Sequence, residues 1–192
     1  MERCDLYVAL GDSLTIDKFA GPGLGAAALL HKNRSHPEFA GRDLCSLNPD
    51  TRFVDLARDG LTSVELLGML DRLPEPRPGT LVTLTIGGND LIAALNAGLP
   101  EAGVSEFRSR VDAILRRVTA GYPDLRLLIG NIYDPTDGTG QVQSGHRRFA
   151  SGLPWLSGYN RVLAELAERH GGTAVDIHAH FRGHGMRHSD PT

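Results

Sequence analysis

Leu6-Tyr7-Val8-Ala9-Leu10-Gly11-Asp12-Ser13-Leu14-Thr15 begins as an unbroken apolar run and breaks at a glycine into a polar turn. A short apolar run bounded by turn residues reads as a buried strand. The same event recurs twice downstream. Phe53-Val54-Asp55-Leu56-Ala57 leads into Asp59-Gly60-Leu61-Thr62-Ser63, and Leu81 to Ile86 leads into Gly87-Gly88-Asn89-Asp90. Three strands therefore each end in a block that carries a chemically useful residue.

Working outward, helical patterns fill the intervals. Residues 22 to 31, rich in Gly, Ala and Leu, predict a short helix. Ser63 to Leu73 places Val64, Leu67 and Leu70 at helical spacing before Pro74, Pro76 and Pro78 interrupt it. Asp90 to Ala97 predicts a short helix. Ser105 to Ala120 is amphipathic, with Phe107, Val111, Ile114, Leu115 and Val118 on one face, Ser105 as N-cap and Gly121 as stop. Leu125 to Ile132 is a fourth strand, and residues 134 to 152 form a polar, glycine-rich loop. Leu156 to His170 is helical up to Gly171-Gly172, and Thr173 to Ile177 is a fifth strand. This alternation predicts an α/β fold, a mostly parallel sheet of about five strands with helices on both faces. Ligands of such sheets bind beyond the carboxyl ends of the strands, where Ser13, Gly60 and Asn89 all fall.

With 192 residues, the chain is expected to form a single domain over 1–192. Its 41% hydrophobic content suits a globular protein, and a net charge of −3 gives no electrostatic reason to expect nucleic acid or an anionic membrane as partner. Cys4 and Cys45 make neither a disulfide framework nor a zinc motif. The N-terminus shows no secretion-signal pattern and no apolar stretch is long enough for a bilayer, so a soluble, cytoplasmic protein is the default expectation. No feature specifies an oligomeric state.

A serine hydroxyl needs a neighbouring base to act as a nucleophile, and attack on an acyl carbon creates an oxyanion that needs fixed donors. Ser13 can supply the hydroxyl and one N–H. Gly60 can supply a second N–H with no Cβ in the way, and the Asn89 amide a third donor. Singly, each block is also an ordinary turn or cap; jointly, on successive strand ends, they point to a serine hydrolase. No Gly-x-Ser-x-Gly elbow and no Walker A loop is present.

Gly11-Asp12-Ser13-Leu14, Gly60 and Gly87-Gly88-Asn89-Asp90 resemble the three blocks of the GDSL family of the SGNH hydrolase superfamily, over residues 5 to about 177. The resemblance implies a flavodoxin-like three-layer α/β/α fold and an esterase, lipase, thioesterase or deacetylase acting on a small-molecule acyl ester. It implies Ser13 as nucleophile and Gly60 and Asn89 in the oxyanion hole. Asp12 and Asp90 are expected to brace their loops, and the chemistry requires no cofactor.

The family's last block, Asp-x-x-His, has no counterpart after the fifth strand. Either the chain stops short of that block or the base comes from elsewhere. Four of the eight histidines follow that strand: His178, His180, His184 and His188. His184, within Gly183-His184-Gly185, ranks first as base, and the stretch from Phe181 resembles a Phe-x-Gly-His-Gly loop in one branch of the family. His188 with Asp190, and Asp176, are the other base and acid candidates. His178 and His180 are expected to continue the strand. Two rivals stand beside this reading: a catalytically impaired binding protein or fragment, and a metal-dependent hydrolase using the histidine cluster with Asp176 and Asp190. Tyr133, Phe149 and Trp155 are candidates for an acyl pocket or for core.

Overall fold

The structure, a computed structural model, describes residues 3–16, 18, 25–30, 37–39, 41–140 and 148–185. Strands β1 (Leu6–Gly11), β2 (Arg52–Asp55), β3 (Thr80–Thr85), β4 (Leu125–Gly130) and β5 (Thr173–Val175) form one sheet in the order β2-β1-β3-β4-β5, every pair parallel. The α-helices include α1 (Leu44–Leu47), α2 (Ser63–Met69), α3 (Gly88–Asn96), α4 (Pro100–Gly121), α5 (Arg148–Arg169) and α6 (Ile177–Phe181). This is the doubly wound order of the flavodoxin-like fold, whose direction of winding reverses between β1 and β3.

The alternation of side chains along β1 builds the layers. Leu6, Val8 and Leu10 face the larger core with Leu66 of α2, Phe107 and Ile114 of α4, and Leu163 of α5. Tyr7 and Ala9 face a smaller core with Leu30 and Leu44. Every residue of β1 is buried, as expected for a central strand covered on both sides. No helix among the described residues is long and apolar enough to cross a membrane.

Several element boundaries differ from expectation. α4 starts at Pro100, not Ser105; proline at the first helical turn costs no hydrogen bond and presets φ. α5 starts at Arg148 and continues through Pro154 instead of starting at Leu156. β5 is short, because Asp176 accepts the Ala179 N–H at 2.9 Å and caps α6. His178 and His180 are consequently helical residues, not an extension of the strand, so residues 176, 178 and 180 do not share an extended face.

Candidate active site

Ser13 sits in the turn that follows β1. The Thr15 N–H donates to the Asp12 carbonyl (3.1 Å) and the Leu14 N–H to Asp12 Oδ1 (3.1 Å), so residues 12 to 15 close on themselves. The Asp12 N–H donates to the Thr85 carbonyl (3.1 Å), and the Thr85 hydroxyl donates to Asp12 Oδ1 (3.2 Å), which ties the turn to the end of β3. Burial pushes the Asp12 carboxyl above the ordinary carboxylate range, against the Leu14 and Thr85 donors that pull it down. Ser13 itself is half-buried, and neither its N–H nor its hydroxyl has a hydrogen-bond partner among the described residues.

The second block is stapled between the other two. The Arg58 N–H donates to the Gly11 carbonyl (3.0 Å), and the Leu61 N–H closes a turn on the Arg58 carbonyl (3.2 Å). Within that turn Gly60 takes a φ of 76°, which a side chain would oppose. Its N–H also has no partner among the described residues. The Asn89 amide donates to the Leu61 carbonyl at 3.0 Å, linking the third block to the second.

Gly87, at φ 118°, precedes α3; a Cβ there would lie 2.7 Å from Phe107 Cζ, so only glycine lets the helix start this close to α4. Asp90 is buried and accepts the Ser63 N–H (2.9 Å) and the Ser63 hydroxyl, while Arg110 reaches Ser63 Oγ with Nε (2.8 Å) and Asp90 Oδ1 with Nη2 (3.5 Å). This cluster joins the starts of α2 and α3 to α4.

Ser13 and Asn89 line one cavity of about 480 Å³ beyond the ends of β1 and β3. Gly60 is exposed beside it, in the loop bonded to Asn89, and is not part of its lining. Tyr133 contributes to the wall; Trp155 instead packs against the core. The side chain of Phe149 lies outside the described residues.

The residues after β5 approach the same rim. The Tyr133 and Phe181 rings pack at 4.7 Å, and the Phe181 carbonyl accepts the His184 N–H (2.9 Å). Asp137, itself at φ 51°, accepts the Gly183 N–H on Oδ1 (3.0 Å) and the Gly185 N–H on Oδ2 (3.2 Å). The segment carrying His184 is thus anchored on both sides of the histidine, whose side chain is exposed. Asp137 escaped the sequence reading: its partners lie 46 and 48 residues away, and the only local signal was the Asp137-Gly138 turn pair. His178 accepts the Asp134 N–H on Nδ1 (3.2 Å), so its neutral form carries the proton on Nε2. Asn131 orders this corner, accepting the His178 N–H (2.7 Å) and donating to Asp176 (2.8 Å). Those donors hold the Asp176 carboxyl below its ordinary range, the Ala179 N–H most of all. His188 and Asp190 lie outside the described residues. Among the described residues no group of His, Cys, Asp or Glu could hold a metal ion.

A family model described as the GDSL-like lipase/acylhydrolase family matches residues 9–192. A spore germination lipase of Bacillus licheniformis is 26% identical over 191 residues, covering 92% of this chain and 82% of that protein. Among solved structures, phospholipase A1 from Streptomyces albidoflavus aligns with a TM-score of 0.63 at 22% identity, over 97% of this chain and 85% of the other. The acetylxylan esterase Axe2 from Geobacillus stearothermophilus aligns at 0.60 and 17% identity, over 95% and 81%. At those identities the two structures bear on the fold.

Proposed function

The chain belongs to the GDSL-like lipase/acylhydrolase family of esterases and lipases, and on that premise we propose that it hydrolyses a carboxylic or thio ester through an acyl-serine intermediate on Ser13. The observation that carries the reading is one cavity flanked by the Ser13 hydroxyl and the Asn89 amide, with the Ser13 N–H left uncommitted. Ser13 Oγ attacks the acyl carbon as its proton passes to the base. The carbonyl oxygen becomes an oxyanion, held by the Ser13 and Gly60 N–H groups and by the Asn89 amide hydrogen not given to Leu61. Collapse expels the alcohol or thiol, which takes the proton. Water then attacks the acyl-serine, passing a proton to the same base, and Ser13 leaves with it.

His184 is the base of this proposal. Its anchorage by Asp137 and Phe181 beside the cavity wall favours it over His178, whose Nδ1 is already an acceptor. The His184 ring makes no hydrogen bond to Ser13, and unliganded catalytic pairs are often loose until substrate arrives. The same observation favours the rival reading, a catalytically impaired binding protein. A short p-nitrophenyl ester separates the two. The expected result is turnover lost in Ser13→Ala with an unchanged melting curve, and a phosphonate adduct mapped by mass spectrometry to the peptide containing Ser13. Equal rates for wild type and Ser13→Ala would leave the serine without a role.

A further inference from the structure

The cavity lining joins polar residues around Ser13 to a largely apolar stretch between α3 and α5. Among the polar residues are Ser13, Asn89, Asn131 and Asp134. From Asn89 the wall follows one face of α3 through Ile92 and Leu95 to Asn96, which are spaced three, six and seven residues along the helix. Seven residues of helix span about 10 Å, so the hollow reaches several methylene lengths beyond the carbon that Ser13 would attack. Leu153 and Leu156 of α5 form the facing wall. Ile92, Leu95, Leu153 and Leu156 carry no hydrogen-bonding side chain, so they offer sugar hydroxyls no partner, and only Asn96 at the far end of this stretch is polar. An aliphatic chain would instead gain apolar burial there.

α5 contributes one glycine to this wall. Gly152 lies within α5, where glycine costs helix stability relative to alanine. It is buried and lines the cavity directly opposite α3: a Cβ on it would stand 3.0 Å from Leu95 Cδ1 and 3.9 Å from Leu91 Cδ2. A side chain at position 152 would therefore press on Leu95 at the cavity wall, so glycine is what lets α5 and α3 lie this close there.

We propose that the cavity between α3 and α5 binds the acyl chain of the ester, that it takes aliphatic acyl groups well beyond acetyl, and that Gly152, facing Leu95, sets the chain length accepted. The inference rests on Ser13 being the nucleophile. The test measures kcat/KM of the full chain on p-nitrophenyl acetate, butyrate, octanoate and decanoate, for wild type, Gly152→Leu, Leu95→Ala and Ser13→Ala. Wild type is expected to favour octanoate over acetate. Gly152→Leu should lower the octanoate-to-acetate ratio about tenfold or more, as methylene-sized changes in apolar pockets do. Leu95→Ala, which widens the same constriction, should move the preference towards decanoate, and it decides the matter if Gly152→Leu does not fold. A wild type that favours acetate, or a ratio that neither variant moves while Ser13→Ala is inactive, overturns the inference alone. Undiminished turnover by Ser13→Ala overturns the nucleophile and this inference with it.

Discussion

At the scale of the residue, Asn89 joins a structural hydrogen bond to its proposed role as oxyanion donor. Its amide has two hydrogens, and one is committed to the Leu61 carbonyl at 3.0 Å. That bond orders the amide, and in the proposed mechanism the second hydrogen is the one left for the oxyanion. Asn89→Ala should therefore reduce kcat by roughly 100- to 1000-fold and change KM little, because the donor acts on charge that develops only in the transition state. Steady-state kinetics on a short ester read the split, and a loss confined to KM would contradict the role. The position of Ser13, Gly60 and Asn89 beyond the carboxyl ends of β1, β2 and β3 was legible in the sequence, because one-dimensional spacing already states which edge of the sheet they occupy. Asp137 was not, because its two bonds are to backbone N–H groups of a distant glycine loop, and no residue type advertises a backbone partner.

At the scale of the element, the amphipathic face of α4 and its stop at Gly121 were readable and its start was not. Phe107, Val111, Ile114, Leu115 and Val118 are all fully buried, as the helical period requires. Pro100 and Pro154 lie in helices that the sequence pattern began later, at Ser105 and Leu156: one occupies the first turn of α4 and the other lies within α5. What joins the middle of α4 to the end of α5 is also non-local. Asp112 of α4 pairs with His170 Nε2 at 2.8 Å just beyond α5, and with Arg116 at 2.5 Å and Arg169 at 3.7 Å. The His170 hydrogen bond, more than the arginines, holds the Asp112 carboxyl below the ordinary carboxylate range. A depressed carboxyl contributes stability above its unfolded value of about 3.9, and that contribution is lost as pH falls through the folded value. Asp112→Asn should lower Tm at pH 7 by about 2–4 °C, the shift expected for about 1 kcal/mol in a chain of this size. The difference from wild type should shrink below about pH 4. Thermal melts followed by circular dichroism at pH 7 and pH 3 test this; a gap that persists in acid would place the effect elsewhere.

At the scale of the whole molecule, winding order separates a stable centre from a weak edge. β1 and β3 are central strands, paired on both sides, and they carry Ser13 and Asn89 at their carboxyl ends. β5 is an edge strand of three exposed residues, and it leads into the five-residue α6 and the loop with His184. Ser13 and Asn89, the proposed nucleophile and one proposed oxyanion donor, thus rest on the most buried strands, whereas Gly60 follows the edge strand β2 and the proposed base follows the opposite, fully exposed edge. Local opening free energies follow burial and pairing, so β5 and α6 should open well before the core. The only tryptophan, Trp155, packs against that core and reports on global unfolding separately. In urea, esterase activity should consequently fall at concentrations where Trp155 fluorescence is still native, and dilution should restore it at once because the core never unfolded. Amide exchange should show the same order, fastest in residues 173–185 and slowest in β1 and β3. Coincident activity and fluorescence transitions would mean that the base is held by the core itself, and would point away from His184.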